Sequence, residues 1–365
     1  MTQRVLVAMS GGVDSSVAAA RLVAAGMDVV GVTLHLWDYP DDGSVQGRCC
    51  APEDVHDARR AAEQLGIPHY AFDRRELFRE RIVLPFVDGY LRGQTPSPCV
   101  DCNRYIKIPE LLRLGDRFGA RHIATGHYAR VETVAGRPRL YRGRDTSKDQ
   151  SYFLHMLGPE SLARLRFPLG ALTKREVRAE ALSLGLVGAG KGESHELCFV
   201  PTGRYDRFVA EHAEGRVRPG PIVDSRGRQI GTHAGIHSFT VGQRRNLGVA
   251  LGERVFVVDI DPVTNTVRLG NRDEIEASGA ELEGAALADD VRLPLSCDAV
   301  VRYRGQLRRS RVCEASDGGL RVDFEQPVAA VVPGQFAVFY AGDRVLGGGR
   351  IRRAVPAGTG AGGWA

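Results

Sequence analysis

The 365-residue sequence predicts an α/β doubly wound parallel sheet, then a small central module and a C-terminal β-barrel. Three observations carry this reading. In the first half, short apolar runs alternate with helical patterns. Near Pro201 the character changes, and from Val217 onward Gly, Pro and Asp turns separate short strands. From Ala299 the pattern is all-β. The implied boundaries are 1–205, 206–278 and 279–355, with a Gly/Ala-rich tail, 356–365, expected to be disordered.

Val5–Met9 reads as a buried parallel strand and Val17–Leu22 as the helix after it. Val29–Leu36 is a second strand after a break at Gly26. Pro52–Leu65 has helical apolar spacing, ends at Gly66, and leads to a short strand, Pro68–Phe72. Helices are expected near Glu76–Tyr90 and over Pro109–Phe118, followed by a strand at His122–Thr125. In the second half, Pro221–Val223 and Gln229–Gly231 flank Ser225-Arg226-Gly227 as a hairpin. Val255–Ile260 and Val267–Leu269 flank another turn, and Phe336–Tyr340 and Val345–Ile351 close the barrel.

Ser10-Gly11-Gly12-Val13-Asp14-Ser15-Ser16 lies between the first strand and the first helix. A glycine-rich turn there gathers backbone N–H groups at a helix N-terminus and makes an anion site, with serine hydroxyls as further donors. The lysine of the common P-loop is absent. The run resembles the pyrophosphate loop, SGGxDS, of enzymes that split ATP into AMP and pyrophosphate. In a doubly wound sheet, ligands bind beyond the carboxyl ends of the strands. The loop and Gly126-His127-Tyr128 both fall at such ends, so they are expected to share one cleft.

No apolar run approaches a membrane span and no N-terminal signal pattern is present, which predicts a cytoplasmic location and no membrane partner. The net charge of +5 is compatible with nucleic acid. Basic residues are almost all Arg; only Lys107, Lys148, Lys174 and Lys191 are Lys. A retained Lys in such a chain hints that a compact ammonium is needed. The seven cysteines, an odd number, argue against a disulfide scaffold.

Three sulfur sites stand out: the vicinal pair Cys49-Cys50, the C-x-x-C of Cys99 and Cys102, and Cys198 in a small apolar strand. Cys49, Cys50, Cys99 and Cys102 as a zinc or cluster site is one reading, although adjacent cysteines ligate one tetrahedral ion poorly. Cys198 follows Lys191-Gly192-Glu193-Ser194-His195-Glu196, an electropositive and polar approach that favours a reachable thiolate. Two thiols on separate loops beside an ATP site suggest sulfur transfer.

With these residues in place, the chain resembles the bacterial tRNA-specific 2-thiouridylases. The matching segments are Ala8–Ser16, Cys49-Cys50, Thr95–Asn103 with Ile106-Lys107, Ala124–Ala129, Lys148–Leu154, Phe167–Gly170, Glu196–Val200, Phe239–Arg244, Pro333–Tyr340 and Leu346–Gly349. The resemblance implies a tRNA-uridine 2-sulfurtransferase, a pyrophosphate-loop ATPase that thiolates wobble uridine 34 in the tRNAs for Lys, Glu and Gln. Its substrates would be ATP with Mg²⁺ and tRNA, and a cysteine desulfurase or sulfur-relay protein would donate the sulfur. By position it places ATP on Ala8, Met9, Ser10, Gly11, Gly12, Val13, Asp14, Ser15, Leu34 and Gly126. It places tRNA on Ser97, Pro98, Cys99, His127, Lys148, Asp149, Gln150, Arg302, Tyr303 and Gln335. Cys198 resembles the persulfide carrier and Cys102 the second catalytic thiol, with a transient Cys102–Cys198 disulfide between turnovers. Many relatives carry an acid where this chain has Cys99. That leaves the proton acceptor open and leaves open a Cys99–Cys102 disulfide or a bound cluster. Arg302-Tyr303-Arg304 and Arg308–Arg311 read as basic strand residues suited to phosphate contacts. His35, His233 and His237 read as surface or core residues.

Overall fold

The computed structural model describes residues 3–38, 52–188, 197–200, 203–249, 252–316 and 318–358. Cys49, Cys50, the 191–196 approach to Cys198 and most of the tail lie outside them. The chain divides into two compact units. One comprises Met1–Val83, Cys99–Gly203 and Asp343–Val345; the other comprises Leu84–Pro98, Arg204–Gly342 and Leu346–Ala365.

The first unit begins β1 (Arg4–Ala8), α1 (Val13–Ala24), β2 (Asp28–His35), α2 (Pro52–Gln64) and β3 (His69–Asp73). The helix expected at Glu76–Tyr90 is interrupted: α3 (Arg75–Phe78) passes into a π-turn at Arg79–Val83, and the α4 that follows (Leu84–Leu91) belongs to the second unit. Next come α5 (Pro98–Cys102), a second π-turn (Asn103–Lys107), α6 (Ile108–Phe118), β4 (His122–Ala124) and a hairpin, β5 (Ala129–Val134) and β6 (Arg137–Arg142). A 3₁₀ turn (Ser151–Leu154), α7 (Pro159–Arg164), β7 (Leu165–Arg166) and α8 (Lys174–Ser183) complete it.

The sheet order is β3-β2-β1-β4-β7, and each neighbouring pair is parallel. Central β1 buries Val5, Leu6 and Val7 almost completely, as a strand covered on both faces must. Ala19 and Leu22 of α1 pack with Ala58, Ala61 and Ala62 of α2 and with Val5 and Val7. Val17, Ala18 and Ala20 pack instead with Tyr128 and with Val177 and Ala181 of α8. The doubly wound prediction therefore holds, strand by strand.

In the second unit, α9 (Tyr205–His212) precedes β8 (Gly220–Val223), β9 (Gln229–His233), β10 (Phe256–Asp261) and β11 (Thr266–Gly270). These form a small sheet, β10-β11-β8-β9, around Ile222, Phe239, Val257 and Leu269, and both expected hairpins are present. The barrel uses β12 (Glu276–Leu287), β13 (Leu295–Val300), β14 (Arg308–Glu314), β15 (Leu320–Ala329), β16 (Phe336–Ala341) and β17 (Arg344–Pro356). Their order is β12-β15-β14-β13-β16-β17, and β12–β17 pairing closes the ring.

Two expectations fail locally. Cys198 is not in a strand: Val200 N–H donates to the Leu197 carbonyl at 3.1 Å, so the segment is a turn. Its anchor is Phe199, which packs on Trp37 and Phe78 with ring centroids 6.2 and 5.6 Å away. Arg302-Tyr303-Arg304 is also a turn, between β13 and β14, where Gly305 N–H donates to the Arg302 carbonyl at 2.9 Å. Arg304 adopts a left-handed φ of 58°, which ends any extended pairing.

Candidate active site

The strand order reverses between β1 and β4, so the loops leaving these two strands flank the crevice of the sheet. The first is Ser10–Ser16 and the second is Gly126–Tyr128. A Cβ on Gly126 would stand 2.9 Å from the Ser15 amide nitrogen, so only glycine lets the two loops close on each other. The shared location expected from sequence is present.

The loop holds its own shape. Ser10 N–H donates to Ser15 Oγ at 3.1 Å, and the hydroxyls of Ser15 and Ser16 donate to the Gly12 carbonyl at 3.0 and 3.1 Å. These hydroxyls, read from sequence as donors to a ligand, thus also brace the turn. Gly11 has φ +71°, and a Cβ there would lie 2.3 Å from the Asp54 carbonyl oxygen. Gly12, the N-cap of α1, has no side-chain cap, and a Cβ on it would meet only Ser10 Oγ, at 3.6 Å. The first-turn amides of α1 therefore face a side that the glycine keeps open.

Asp14, in that first turn, is held by a group that sequence reasoning did not single out. Lys174 Nζ lies 2.6 and 2.7 Å from its two carboxylate oxygens, and the Tyr128 hydroxyl donates to Oδ1 at 2.8 Å. The ammonium also lies 5.9 Å from the Tyr128 ring centroid. Lys174 opens α8 behind a capping box: Thr173 Oγ1 accepts from Glu176 N–H, and the Glu176 carboxylate accepts from Thr173 N–H at 2.6 Å. Lys174 N–H itself donates to Asp145 Oδ2 at 2.9 Å. The usable signal was the scarcity of lysine in this Arg-rich chain.

Around the second loop, Tyr128 N–H donates to Gln150 Oε1 at 3.0 Å and Gln150 N–H to the Tyr128 carbonyl at 2.9 Å. Asp149 is turned inward: it accepts from Arg142 Nε, Gly143 N–H and Ser151 Oγ, each at 3.0 Å, and from Ser151 N–H at 3.1 Å. It organises this segment, while Lys148 beside it is half-exposed. His127 Nδ1 shares a 2.7 Å hydrogen bond with Thr125 Oγ1. Burial, with Lys107 adding to it, pushes the His127 pKa down to about 3, so the ring is neutral at physiological pH.

Cys102 closes α5, one turn after Cys99, and neither of these nor Cys198 is in a disulfide. Cys102 is buried, and that burial pushes its pKa up to about 11; Lys107 opposes the rise, while Cys99 and Asp101 add to it. Asn103 Nδ2 donates to the Cys99 carbonyl at 3.0 Å and steadies the turn. Residues five apart on an α-helix stand about 140° from each other. The π-turn at Asn103–Lys107 brings the Lys107 stem back toward the side of Cys102.

Family models match the chain in three consecutive stretches: a tRNA methyl transferase HUP domain over 3–202, a tRNA methyl transferase PRC-barrel domain over 206–271, and an aminomethyltransferase beta-barrel domain over 282–351. A tRNA-specific 2-thiouridylase of Sorangium cellulosum is 60% identical over 357 residues, covering 96% of this chain and 93% of that protein. The chain belongs to the tRNA-specific 2-thiouridylase family. Further members are 46% identical in Solibacter usitatus and 47% in Chloroflexus aurantiacus, each covering 96% of this chain and, respectively, 99% and 98% of theirs. Among solved structures, a 4-thiouridine synthetase in complex with RNA and bound ATP has a TM-score of 0.35 and 17% identity, covering 59% of this chain and 50% of that one.

In this 2-thiouridylase chain Ala8 ends β1 and Leu34 and His35 lie near the end of β2 in the first unit, while Ser97, Pro98, Arg302, Tyr303, Gln335, His233 and His237 lie in the second. Ser97 and Pro98 are buried, and Gln335 Nε2 donates to the Thr95 carbonyl at 2.8 Å. Arg302 is exposed, and the Arg304 guanidinium lies 5.3 Å from the Tyr303 ring centroid. His233 and His237 are buried, in keeping with core roles. Among the described residues no three His, Cys, Asp or Glu side chains cluster as metal ligands, and no helix is long and apolar enough to cross a membrane.

Proposed function

We propose that this chain is an ATP-dependent sulfurtransferase that converts C2=O of wobble uridine 34 to C2=S in the tRNAs for Lys, Glu and Gln. The observation that carries the reading is that one family-model match, 3–202, contains the glycine loop, Cys102 and Cys198 together. ATP would lie along Ala8–Ser15, Leu34 and Gly126, with its phosphates at the first turn of α1. Mg²⁺ needs only one or two carboxylates beside phosphate oxygens. Asp14 is the carboxylate at that turn, so this residue set fits the ion.

The chemistry divides in two. O2 of the uracil attacks the α-phosphorus, the bond to the β-phosphate oxygen breaks, and pyrophosphate leaves with the electron pair. The N3 proton is lost, and O2 is then part of a good leaving group, AMP. Next, the Cys102 thiolate attacks the inner sulfur of a Cys198 persulfide. A Cys102–Cys198 disulfide forms and hydrosulfide departs. Hydrosulfide attacks C2 and expels AMP. A reductant must reopen the disulfide before the next turnover. Cys99 stands beside Cys102 where an acid was expected, so the N3 proton goes to another acceptor.

The family-model descriptions speak of methyl transfer, whereas the named relatives are thiouridylases. An amide-forming ligase on the same loop and a non-catalytic tRNA-binding protein are two further competitors. One assay separates the proposed reading from these three. The reduced protein is incubated with ATP, Mg²⁺, a sulfur donor and unmodified tRNA, and 2-thiouridine and AMP are measured. Thiolated base and AMP in equal amounts are expected. Folded protein that yields no thiolated base sinks the reading.

A further inference from the structure

We propose that Tyr105, with the Arg104 guanidinium over its ring, is a stacking platform for a nucleotide next to the reacting uridine, and so a positioning residue for the tRNA. This rests on the uridine-34 reading above and adds to it a contact outside both the glycine loop and the thiols. Tyr105 is 47% exposed, and the Arg104 guanidinium lies 5.0 Å from its ring centroid. The comparison with Tyr70 is instructive. Tyr70 is exposed to the same degree, but its ring lies 5.0 Å from that of Phe118. Among the described residues no aromatic ring packs on Tyr105, and no carboxylate forms an ion pair with Arg104. The pair thus offers a free π-face and an unneutralised cation side by side. Those are the two groups on which splayed-out RNA bases stack and to which their phosphates bind.

Its place in the fold selects the occupant. After the π-turn at Asn103–Lys107, α6 returns the chain to β4, so the π-turn lies at the carboxyl end of the parallel sheet, where ligands bind. Tyr105 stands in that π-turn, three residues after Cys102. Such turns are rare and occur often at functional sites. This one packs against the Ser151–Leu154 turn, which directly follows Lys148-Asp149-Gln150, the segment assigned to tRNA by resemblance. Burial, with the Arg104 charge adding to it, pushes the pKa of neighbouring His155 down to about 4, so the guanidinium acts on this segment. Cys102 itself is buried. A base that is to react beside it must leave its own stack, at a cost of a few kcal/mol in pairing and stacking. An aromatic face offered to the nucleotide next door offsets part of that cost. Every base has a π-face, so Tyr105 contributes affinity and placement and does not select among tRNAs.

An exposed Tyr beside an Arg also has the composition of a protein-binding hot spot, and the sulfur donor is the rival occupant. Affinity for unmodified tRNA, and for the same tRNA made abasic at position 33 or at position 35, is measured with the wild type, Tyr105→Ala, Tyr105→Phe and Arg104→Gln. ATP affinity serves as the control for folding. Tyr105→Ala is expected to bind intact tRNA about fivefold to a hundredfold more weakly, with ATP affinity unchanged. Tyr105→Phe, which keeps the π-face, binds like the wild type. One of the two abasic tRNAs is weakened to the same extent on the wild type, and Tyr105→Ala weakens that tRNA no further. Arg104→Gln reduces the slope of log affinity against log salt by about 1. Photoreactive 5-iodouridine at that same position cross-links to Tyr105 of the wild type. The abasic and cross-linking measurements on the wild type decide the matter if Tyr105→Ala does not fold. Unchanged tRNA affinity in Tyr105→Ala overturns the proposal, as does a loss that persists in full with both abasic tRNAs or a cross-link at neither position. Slower loading of Cys198 by the sulfur donor with unchanged tRNA affinity gives the pair to the donor and overturns it too. A wild-type protein that binds tRNA without thiolating uridine 34 overturns the reading above, and with it this one.

Discussion

The glycine loop and the thiol helix belong to the same compact unit but stand in opposite states of readiness. At Ser10–Ser16 the serine hydroxyls, the positive φ of Gly11 and the Asp14–Lys174–Tyr128 cluster already hold the backbone in one form. At Cys102, the proposed nucleophile, the thiol is buried and protonated, with one cation, Lys107, favouring the thiolate against burial and two neighbours opposing it. On the mechanism proposed above, the difference means that adenylation would need little rearrangement of the protein, whereas sulfur transfer would need a change of protonation first. A braced loop and a protonated thiol suit the proposed order, in which an oxygen is activated before sulfide is released.

The sharpest way to break this comparison is to remove the sulfurs. Cys102→Ser and Cys198→Ser should each lower thiolation by about 10⁴-fold or more, while tRNA and ATP binding stay intact. Loss of ATP binding in either would mean that the two regions are not separable. Next comes the loop. Gly11→Ala must force a side chain into a left-handed φ and against Asp54, and should cost about 2–4 kcal/mol in denaturant unfolding. Gly12→Ala, whose Cβ meets only Ser10 Oγ, should unfold like the wild type and lose nucleotide affinity instead.

A third test concerns protons. With a Cys102 pKa near 11, single-turnover sulfur release should rise about tenfold per pH unit through neutrality, as the thiolate fraction does. Lys107→Gln should move that profile to higher pH without altering ATP binding; an unchanged profile would remove Lys107 from the thiol's environment. The smallest effect is on stability in acid. Burial lowers the pKa of His127 to about 3 and of His155 to about 4, below the unfolded value of 6.5. The unfolded chain therefore binds protons first, and stability falls as the pH drops from about 6.5 toward 4. The loss is roughly 1–2 kcal/mol per histidine at pH 5. Denaturant midpoints at pH 7 and pH 5 for the wild type and His155→Gln measure it, and the variant should lose less.

What could be read in the sequence was what depends on near neighbours. Val5–Val7 needs only its own apolar run to declare a buried strand, and Ser225-Arg226-Gly227 declares a turn, so β1, the glycine loop and the β8–β9 hairpin were all legible. The β5–β6 hairpin was missed because its strands carry Arg130, Glu132, Arg137 and Arg139, which hide alternation; only Ala135-Gly136, both at positive φ, marked it. Cys198 read as a strand because Leu197, Phe199 and Val200 are apolar, but what they serve is a turn anchored by one ring. Lys174 stood out in the sequence only as one of four lysines, because its partner Asp14 lies 160 residues away in another helix. The two cysteines were legible as chemistry, yet the burial that keeps Cys102 protonated comes from the packed fold and has no local signature.

The π-turn after Cys102 makes chain length itself a constraint. A π-turn amounts to one residue more than a regular helix would use over the same stretch. Straightening the turn into ordinary α-helix with all five of its residues kept would rotate the helix before it by about 100° relative to the helix after it. Cys102 would swing off its face while Ile108 and Leu111 kept theirs. Such a protein would carry both thiols, but out of phase. Deleting Arg104 as well would take out the extra residue and bring Cys102 back into phase. Between Cys102 and Lys107 the number of residues is thus as much a part of the inheritance as their identity.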